Sequence, residues 1–407
     1  MSAGRKEALT AGDLFCGAGG FAEGFEQAGF RVAWGVDNWH PAVETFQKNH
    51  PRATVLEKDL LSLDPAELTR LGKVDVLIGS PPCTHFSVAN KGGNGDRRAG
   101  MLLVQRFLTF VQALKPRYWV MENVPGLQKD LDPVVREGHI QLDDGPLKIP
   151  AREVLDSAEF GAPQSRRRLY AGSFPLPSPV ASYSEGNVPK LRSILETLPN
   201  PREDVGASRD AVHDPVYDRE QVPRASLRDH FEDTRWALTQ DEVDSSIRER
   251  ETHRIYGKMP FPDSPDRPCR TVTATRTRES RSTIVIPYPD RKEVPYRTLT
   301  LRECASAQGF PLAYQFWATS MSDKDALVGN AVTPPVARAI ANAILLAEDR
   351  EPAATPAVKQ VGALPPIVTV RRIGPKRFSM TRRFRGIVPV DWAHEHRVEL
   401  DNEFPRP

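Results

Sequence analysis

The 407-residue chain contains no apolar run of 18 residues, the length that marks a membrane span, and its opening stretch MSAGRKEALTAGD has no apolar segment behind its basic pair. Neither a membrane span nor a secretory leader is readable, so a cytoplasmic location is the expectation. Cysteine is scarce: Cys16, Cys83, Cys269 and Cys304 lie far apart, with no C-x-x-C pair and no histidine pair at helical ligand spacing. This argues against a disulfide framework or a zinc module, and no metal site is expected. Charge of one sign is lacking too. With 55 Lys and Arg against 53 Asp and Glu the net charge is +2, so any surface for a polyanion must be local. No internal repeat is visible.

What is present is an ordinary globular composition, 39% hydrophobic and 27% charged, in a chain long enough for two domains. Residues 10–175 alternate short apolar runs with amphipathic stretches: GDLFCG then FAEGFEQAGF, RVAWGVD then HPAVETFQKNH, VDVLIG, then MLLVQRFLTFVQAL and YWVMENV. That βαβα rhythm predicts an α/β fold with a parallel sheet covered by helices. From 176 the character changes to Pro, Asp and Arg with weak apolar periodicity, which predicts a smaller, irregular domain with short strands near RTVTATRTR and STIVIPY. A helix is expected at TLRECASAQ, and another opens at Gly329-Asn330-Ala331-Val332-Thr333-Pro334-Pro335, where proline favours a helix start. The expected division is 1–175 plus 329–349, 176–328, and a linker with a basic extension over 350–407.

Several residues stand where chemistry could use them. Gly17, Gly19 and Gly20 follow a short strand and precede a helix, where backbone can approach a ligand closely. Asp37 ends RVAWGVD about 20 residues later, where a carboxylate can take both hydroxyls of a ribose, and Asp59 ends the third unit. Plainer roles, a tight turn and two helix or loop caps, fit the same residues. In VDVLIGSPPCTHFS two prolines fix the backbone before Cys83, which alone fits an inert buried thiol equally. Glu122 follows an apolar strand and would share an edge with Cys83 if the two strands were neighbours; a desolvated carboxyl there would keep its proton near neutrality. In QSRRRLY, alternate residues Gln164, Arg166 and Arg168 would share one strand face, either as a solvated edge or as cations that lower a thiol's pKa.

Together, DLFCGAGG, Asp37, Asp59, SPPCTHFS, ENV, QSRRR, RECASAQGFP and GNAVTPPVARAI resemble the cytosine-5 DNA methyltransferase family in order, over nearly all of residues 10–346. The resemblance implies a Rossmann-like S-adenosylmethionine domain with a target-recognition domain inserted between QSRRR and RECASAQGFP. It makes Cys83 the nucleophile, Glu122 the group at cytosine N3, Arg168 the contact to the base's carbonyl oxygen and Arg166 its buttress. Phe15, Gly17, Gly19, Gly20, Asp37, Asp59, Pro82, Asn330, Ala331 and Val332 would hold S-adenosyl-L-methionine, and residues 84–100 would form a loop closing on a flipped base. The implied partners are double-stranded DNA and a cognate restriction or phage-defence system, with the enzyme acting as a monomer.

The chain departs from the family at Thr84-His85, where glutamine usually follows the cysteine, and at Asn38, where an aromatic often stacks on adenine. Residues 125–160 match poorly. The alternatives are a tRNA cytosine-5 methyltransferase and a non-catalytic DNA-binding relative; a nicotinamide oxidoreductase explains only the glycine turn. Arg270, Thr271, Thr273, Arg276 and Arg278 are candidates for base reading.

Overall fold

The computed structural model describes residues 7–82, 97–142, 145–184, 187–202, 211–214, 216, 221–251, 259–278, 282–353, 364–365, 368–373 and 377–382. Its centre is a seven-stranded sheet of β1 (Thr10–Leu14), β2 (Arg31–Asp37), β3 (Thr54–Glu57), β4 (Val76–Gly79), β5 (Tyr118–Asn123), β6 (Ala151–Asp156) and β7 (Arg167–Ser173), in the order β3-β2-β1-β4-β5-β7-β6. The first five strands are parallel. The sheet is mixed at its far edge, where β7 is antiparallel to both β5 and β6. No helix separates β6 from β7, only a short loop and a helical turn at Ser157–Phe160, so the chain reverses directly.

The sheet winds outward from β1 through β2 and β3, then resumes at β4 on the other side of β1. The loops after β1 and β4 therefore meet at the reversal point, where open α/β sheets bind ligands. Helices α1 (Gly20–Gln27), α2 (His40–Asn49), α3 (Arg97–Leu114) and α6 (Pro334–Ala347) cover the faces. Leu14, Val36, Leu77, Phe107, Trp119 and Met121 share one apolar core; Phe21, Phe25, Val76, Ile78, Val120, Val336 and Ile340 share another. Among the described residues no helix is long and apolar enough to cross a membrane.

Glycine brings α6 onto α1. A Cβ on Gly20 would lie 2.1 Å from the Val332 carbonyl oxygen, and one on Gly24 2.4 Å from the Ala337 Cβ. The GNAV turn therefore reaches the sheet from the far end of the chain at backbone distance. Pro334 and Pro335 open α6 as expected.

The region before α6 is irregular. Val285–Pro287 pairs with Tyr296–Thr298, so STIVIPY contains a strand, whereas residues 270–278 are an extended loop without one. Here Val272 N–H donates to the buried Gln164 Oε1 at 2.8 Å rather than to a neighbouring strand. Helix α4 (Leu301–Ala307) begins with a capping box between Thr300 and Glu303, and α5 (Met321–Asn330) follows. Leu301, Phe310, Tyr314 and Phe316 pack in one cluster with Ala18 and Ala42 of the sheet body, so apolar packing continues across residue 329.

Four charged groups hold this region. Asp233 meets Arg235 Nε at 2.7 Å and Arg276 Nη2 at 2.9 Å, and Asp325 of α5 meets Arg276 Nε at 3.0 Å and Arg235 Nη1 at 2.5 Å. Burial alone would raise the Asp233 carboxyl, but Arg235 and Arg276 outweigh it and hold its pKa well below the carboxylate range. Asp233 therefore adds stability above the ordinary carboxylate pKa of about 3.9, and this is lost as pH falls through its depressed folded value. Asp233→Ala would leave two buried guanidiniums sharing the single carboxylate of Asp325 and is expected to cost about 3–5 kcal/mol, read from the urea midpoint. The variant should also lose less of its remaining stability in acid than the parent. A cost below about 1 kcal/mol would contradict the assignment of a keystone role to this network.

Candidate active site

The turn after β1 is built by backbone that most side chains avoid. Phe15, Gly17 and Gly19 have φ of 54°, 54° and 89°, the last capping α1 without any side-chain hydrogen bond. A Cβ on Gly17 would meet nothing within 4 Å, so the loop presents bare backbone to open space. Asp37, at the end of β2, braces it: Oδ2 accepts the Gly17 N–H and Oδ1 the Trp39 N–H, both at 2.9 Å. Burial raises the Asp37 carboxyl, while the Trp39, Gly17 and Asn38 N–H groups pull it down. Each oxygen keeps a second lone pair, as ribose hydroxyls require.

The β4 turn is tied to this loop. Ser80 N–H donates to the Leu14 carbonyl at 3.2 Å, and Ser80 Oγ donates to the Phe15 carbonyl at 3.3 Å. On the other side Asn123 Nδ2, buried at the end of β5, donates to the Pro81 carbonyl at 3.0 Å. Pro81 is buried and Pro82 exposed. Cys83 follows immediately and lies outside the described residues, as do residues 84–96 of the expected loop. Residues 97–100, expected to close that loop, instead form the first turn of α3.

Glu122 stands beside this turn because β4 and β5 are parallel neighbours, with Gly79 opposite Met121. It is buried, 5% exposed, with Arg168 Nε 3.1 Å from its Oε1. Burial raises its pKa, and Arg168 and Arg166 only partly offset this. The register that pairs Tyr170 with Glu122 puts Arg168, two residues earlier on the same face, diagonally across from the carboxyl. Burial raises Tyr170 as well, the Glu122 charge adds to this, and its hydroxyl bonds Thr333 of the GNAV turn.

Arg166 precedes β7 and points away from solvent, 3% exposed. Its Nη1 donates to the Val272 carbonyl (3.1 Å) and its Nη2 to those of Gly329 (2.9 Å) and Ala331 (3.1 Å). Gln164 and Arg166 are buried and Ser165 and Arg167 exposed, the alternation expected of QSRRR, although the strand itself starts at Arg167.

Other expected residues are placed as follows. Asp59 is exposed just beyond β3, with Oδ1 accepting the Leu61 N–H at 2.9 Å. Asn330 is exposed at the end of α5; Ala331 and Val332 are buried beneath it. The base-reading candidates divide. Arg270 is bidentate to Asp263 (2.6 and 2.9 Å), Arg276 is consumed by Asp233 and Asp325, and Arg278 lies 3.4 Å from Glu242, so these three serve the interior. Thr271 is hydrogen-bonded to the Ser165 carbonyl and Thr273 to that of Thr275.

Sequence reasoning missed three groups. Asn123 was visible only as the middle of ENV. Asp13 is a carboxyl inside an apolar strand, 1% exposed. Its pKa is pushed well up by burial and by the Asp37 charge, with the Ala22 N–H opposing. Tyr314 donates to the Ala18 carbonyl and meets His50 Nε2 at 3.1 Å; His50 Nδ1 meets Glu26 at 3.0 Å. Glu23, Glu26 and His50 lie close enough together to hold a metal ion, and here they form part of a hydrogen-bond network supporting the glycine loop.

A seven-stranded α/β sheet with a bare glycine turn and an acidic residue on the adjacent strand defines the nucleoside-binding methyltransferase class. The solved structures agree in fold: an Entamoeba histolytica methyltransferase, EhMeth, superposes at a TM-score of 0.57 with 14% identity over 84% of this chain and 99% of its own. The Schizosaccharomyces pombe Dnmt2 methyltransferase does so at 0.56 with 16% identity over 84% and 100%. The family model for C-5 cytosine-specific DNA methylases matches residues 9–346, and the chain belongs to that family. It is 31% identical to the type II methyltransferase M1.HphI of Haemophilus parahaemolyticus over 83% of this chain and 87% of that protein. It is 29% identical to M.HgiDI of Herpetosiphon aurantiacus over 79% and 89%. It is thus a DNA (cytosine-5-)-methyltransferase that uses S-adenosyl-L-methionine.

Removing the Asn123 amide tests how the site is assembled. Asn123→Ala leaves the buried Pro81 carbonyl unpaired and is expected to cost about 1–3 kcal/mol. It should also lower kcat by about tenfold or more, because an error of about 1 Å in a reacting group costs up to about a hundredfold. Loss of stability with unchanged kcat would show that the tether does not position the turn.

Proposed function

We propose that Cys83 is the nucleophile and Glu122 the proton donor in methylation of cytosine within a specific duplex sequence. The observation that carries this is the buried Glu122 carboxyl, its pKa raised by burial, at the exit of β5 beside the tethered Ser80-Pro81-Pro82 turn that leads into Cys83. Carbon 5 of cytosine is too weak a nucleophile to take a methyl group unaided. Addition of the Cys83 thiolate at carbon 6, with a proton passing from Glu122 to N3, creates an enamine nucleophilic at carbon 5. Arg168, in reach of the same carboxyl, contacts the base's carbonyl oxygen; Arg166 fixes the surrounding backbone. The cofactor supplies the electrophilic methyl group. Loss of the carbon 5 proton then expels the thiolate, and N3 returns its proton to Glu122 as the ring is restored.

Phe15, Gly17, Gly19, Gly20 and the Asp37 carboxylate form the cradle for the cofactor's nucleoside and methionine ends. Asp59, Pro82, Asn330, Ala331 and Val332 complete it. Within a duplex a base cannot offer both ring faces, so the target is flipped out, at about a few kcal/mol. Residues 176–328 are proposed as the target-recognition domain, inserted between the two parts of the sheet body. The type II relatives support a role in restriction-modification. A monomer working in the cytoplasm on each strand in turn is part of the same proposal.

Bisulfite sequencing of a methylation-deficient bacterial host expressing the chain is expected to show one methylated motif, absent with Cys83→Ser. Methylation surviving in Cys83→Ser would overturn the assignment. The pH profile tests Glu122 separately. Its raised pKa keeps the donor protonated further toward neutrality than an ordinary carboxyl, so the rate should fall as pH rises through that value. Glu122→Gln cannot titrate and should lose that limb together with about 100-fold or more in kcat. A variant retaining the limb would assign it to another group.

A further inference from the structure

Beyond the family match, which ends at residue 346, the chain forms an antiparallel hairpin of Val368–Ile373 and Arg377–Arg382. Residues 368–385 hold seven cations, Arg371, Arg372, Lys376, Arg377, Arg382, Arg383 and Arg385, and no acidic residue. The other 48 Lys and Arg face 53 Asp and Glu, so the chain without this segment has a balance of −5. An enzyme whose substrate carries a negative charge about every 1.7 Å of helix axis thus concentrates more than its whole net positive charge in 18 residues.

The hairpin's place is as telling as its charge. Its first strand runs beside the helical turn Thr234–Trp236, within the region proposed for target recognition. The register pairs Val368 with Arg382, Thr369 with Thr381, Val370 with Met380, Arg371 with Ser379, Arg372 with Phe378 and Ile373 with Arg377. Seven of these twelve residues carry a hydroxyl or guanidinium group, the residue types that bind phosphates.

We propose that this hairpin is an accessory clamp that binds the phosphate backbone of duplex DNA, adding affinity without reading sequence. It rests on DNA being the substrate and is independent of the roles given to Cys83 and Glu122. The clamp acts before chemistry, by raising the occupancy of DNA on the enzyme and by holding DNA flanking the target.

The test is equilibrium binding of the full chain to a duplex of random sequence at several salt concentrations. The proteins compared are the parent, a variant with Arg371, Arg372, Arg377 and Arg382 all changed to Gln, and one with the same four changed to Lys. Each phosphate that is no longer neutralised should reduce the slope of log affinity against log salt by about 0.9, so the Gln variant should flatten it by about 2–4 and bind about 10- to 100-fold more weakly near 0.1 M salt. The Lys variant should retain the parent's slope and most of its affinity, with kcat at saturating DNA unchanged in both. Equal slopes for parent and Gln variant would overturn the proposal. Equal weakening by Gln and Lys would overturn it too, since a structural rather than an electrostatic role would then be responsible.

Discussion

The guanidinium of Arg166 is the point on which the molecule closes. One planar group takes the carbonyls of Val272, Gly329 and Ala331, joining the strand beside Glu122 to the irregular region and to the segment that returns to the sheet. Lysine could not reproduce this, because three acceptors in fixed directions need the fork geometry of a guanidinium. With Ala331 held, Val332 reaches Gly20 at backbone distance and α6 lies along α1. Residues more than 300 positions apart in sequence then meet at backbone distance. Tyr314, which meets both the Ala18 carbonyl and His50, repeats the arrangement on the other side of the glycine loop. The loop is therefore supported from beneath by chain that arrives last.

The site also separates its acids by environment. Asp13 and Glu122 are desolvated with too little positive charge to compensate, and both retain protons more strongly than ordinary carboxyls. Asp233 and Glu303 are equally buried, but their arginines prevail over desolvation and keep them ionised. The first pair lies at the carboxyl ends or interior of the parallel strands, around the reversal point; the second lies in the region before α6. Burial is common to all four, and the number and geometry of nearby guanidiniums decide the protonation state. This division matches the proposed labour of the two regions: proton handling at the sheet edge, rigid scaffolding in the inserted part.

Much of this was legible in the sequence because it depends on local pattern. The five parallel strands follow short apolar runs, the glycine turn is spelled out by Gly17, Gly19 and Gly20, and α6 is announced by paired prolines. What was illegible depends on pairing across distance. The antiparallel β7 buries Leu169, Tyr170 and Ala171 in a short apolar run like that of a parallel strand, and only the absence of a crossover helix before it betrays its direction. Arg270, Arg276 and Arg278 looked like surface readers of DNA because a sequence shows cations without showing the carboxylates they meet. Asp263, Asp233, Asp325 and Glu242 are 7 to 49 residues away from them. Asn123 and Asp13 sat in recognised motifs, yet their work, holding the Pro81 carbonyl and filling the space beneath α1, appears only once the strands are side by side.

The most direct measurement is covalent capture on a duplex in which the target cytosine carries fluorine at carbon 5. Once the methyl group is transferred, fluorine cannot leave as the proton does, so the bond from the enzyme to carbon 6 persists through denaturing electrophoresis. A complex dependent on S-adenosyl-L-methionine, with mass spectrometry placing the modified nucleotide on Cys83, is the expected result. An adduct on another residue, or methylation of ordinary DNA without any capture, would contradict the assignment of Cys83 as the nucleophile.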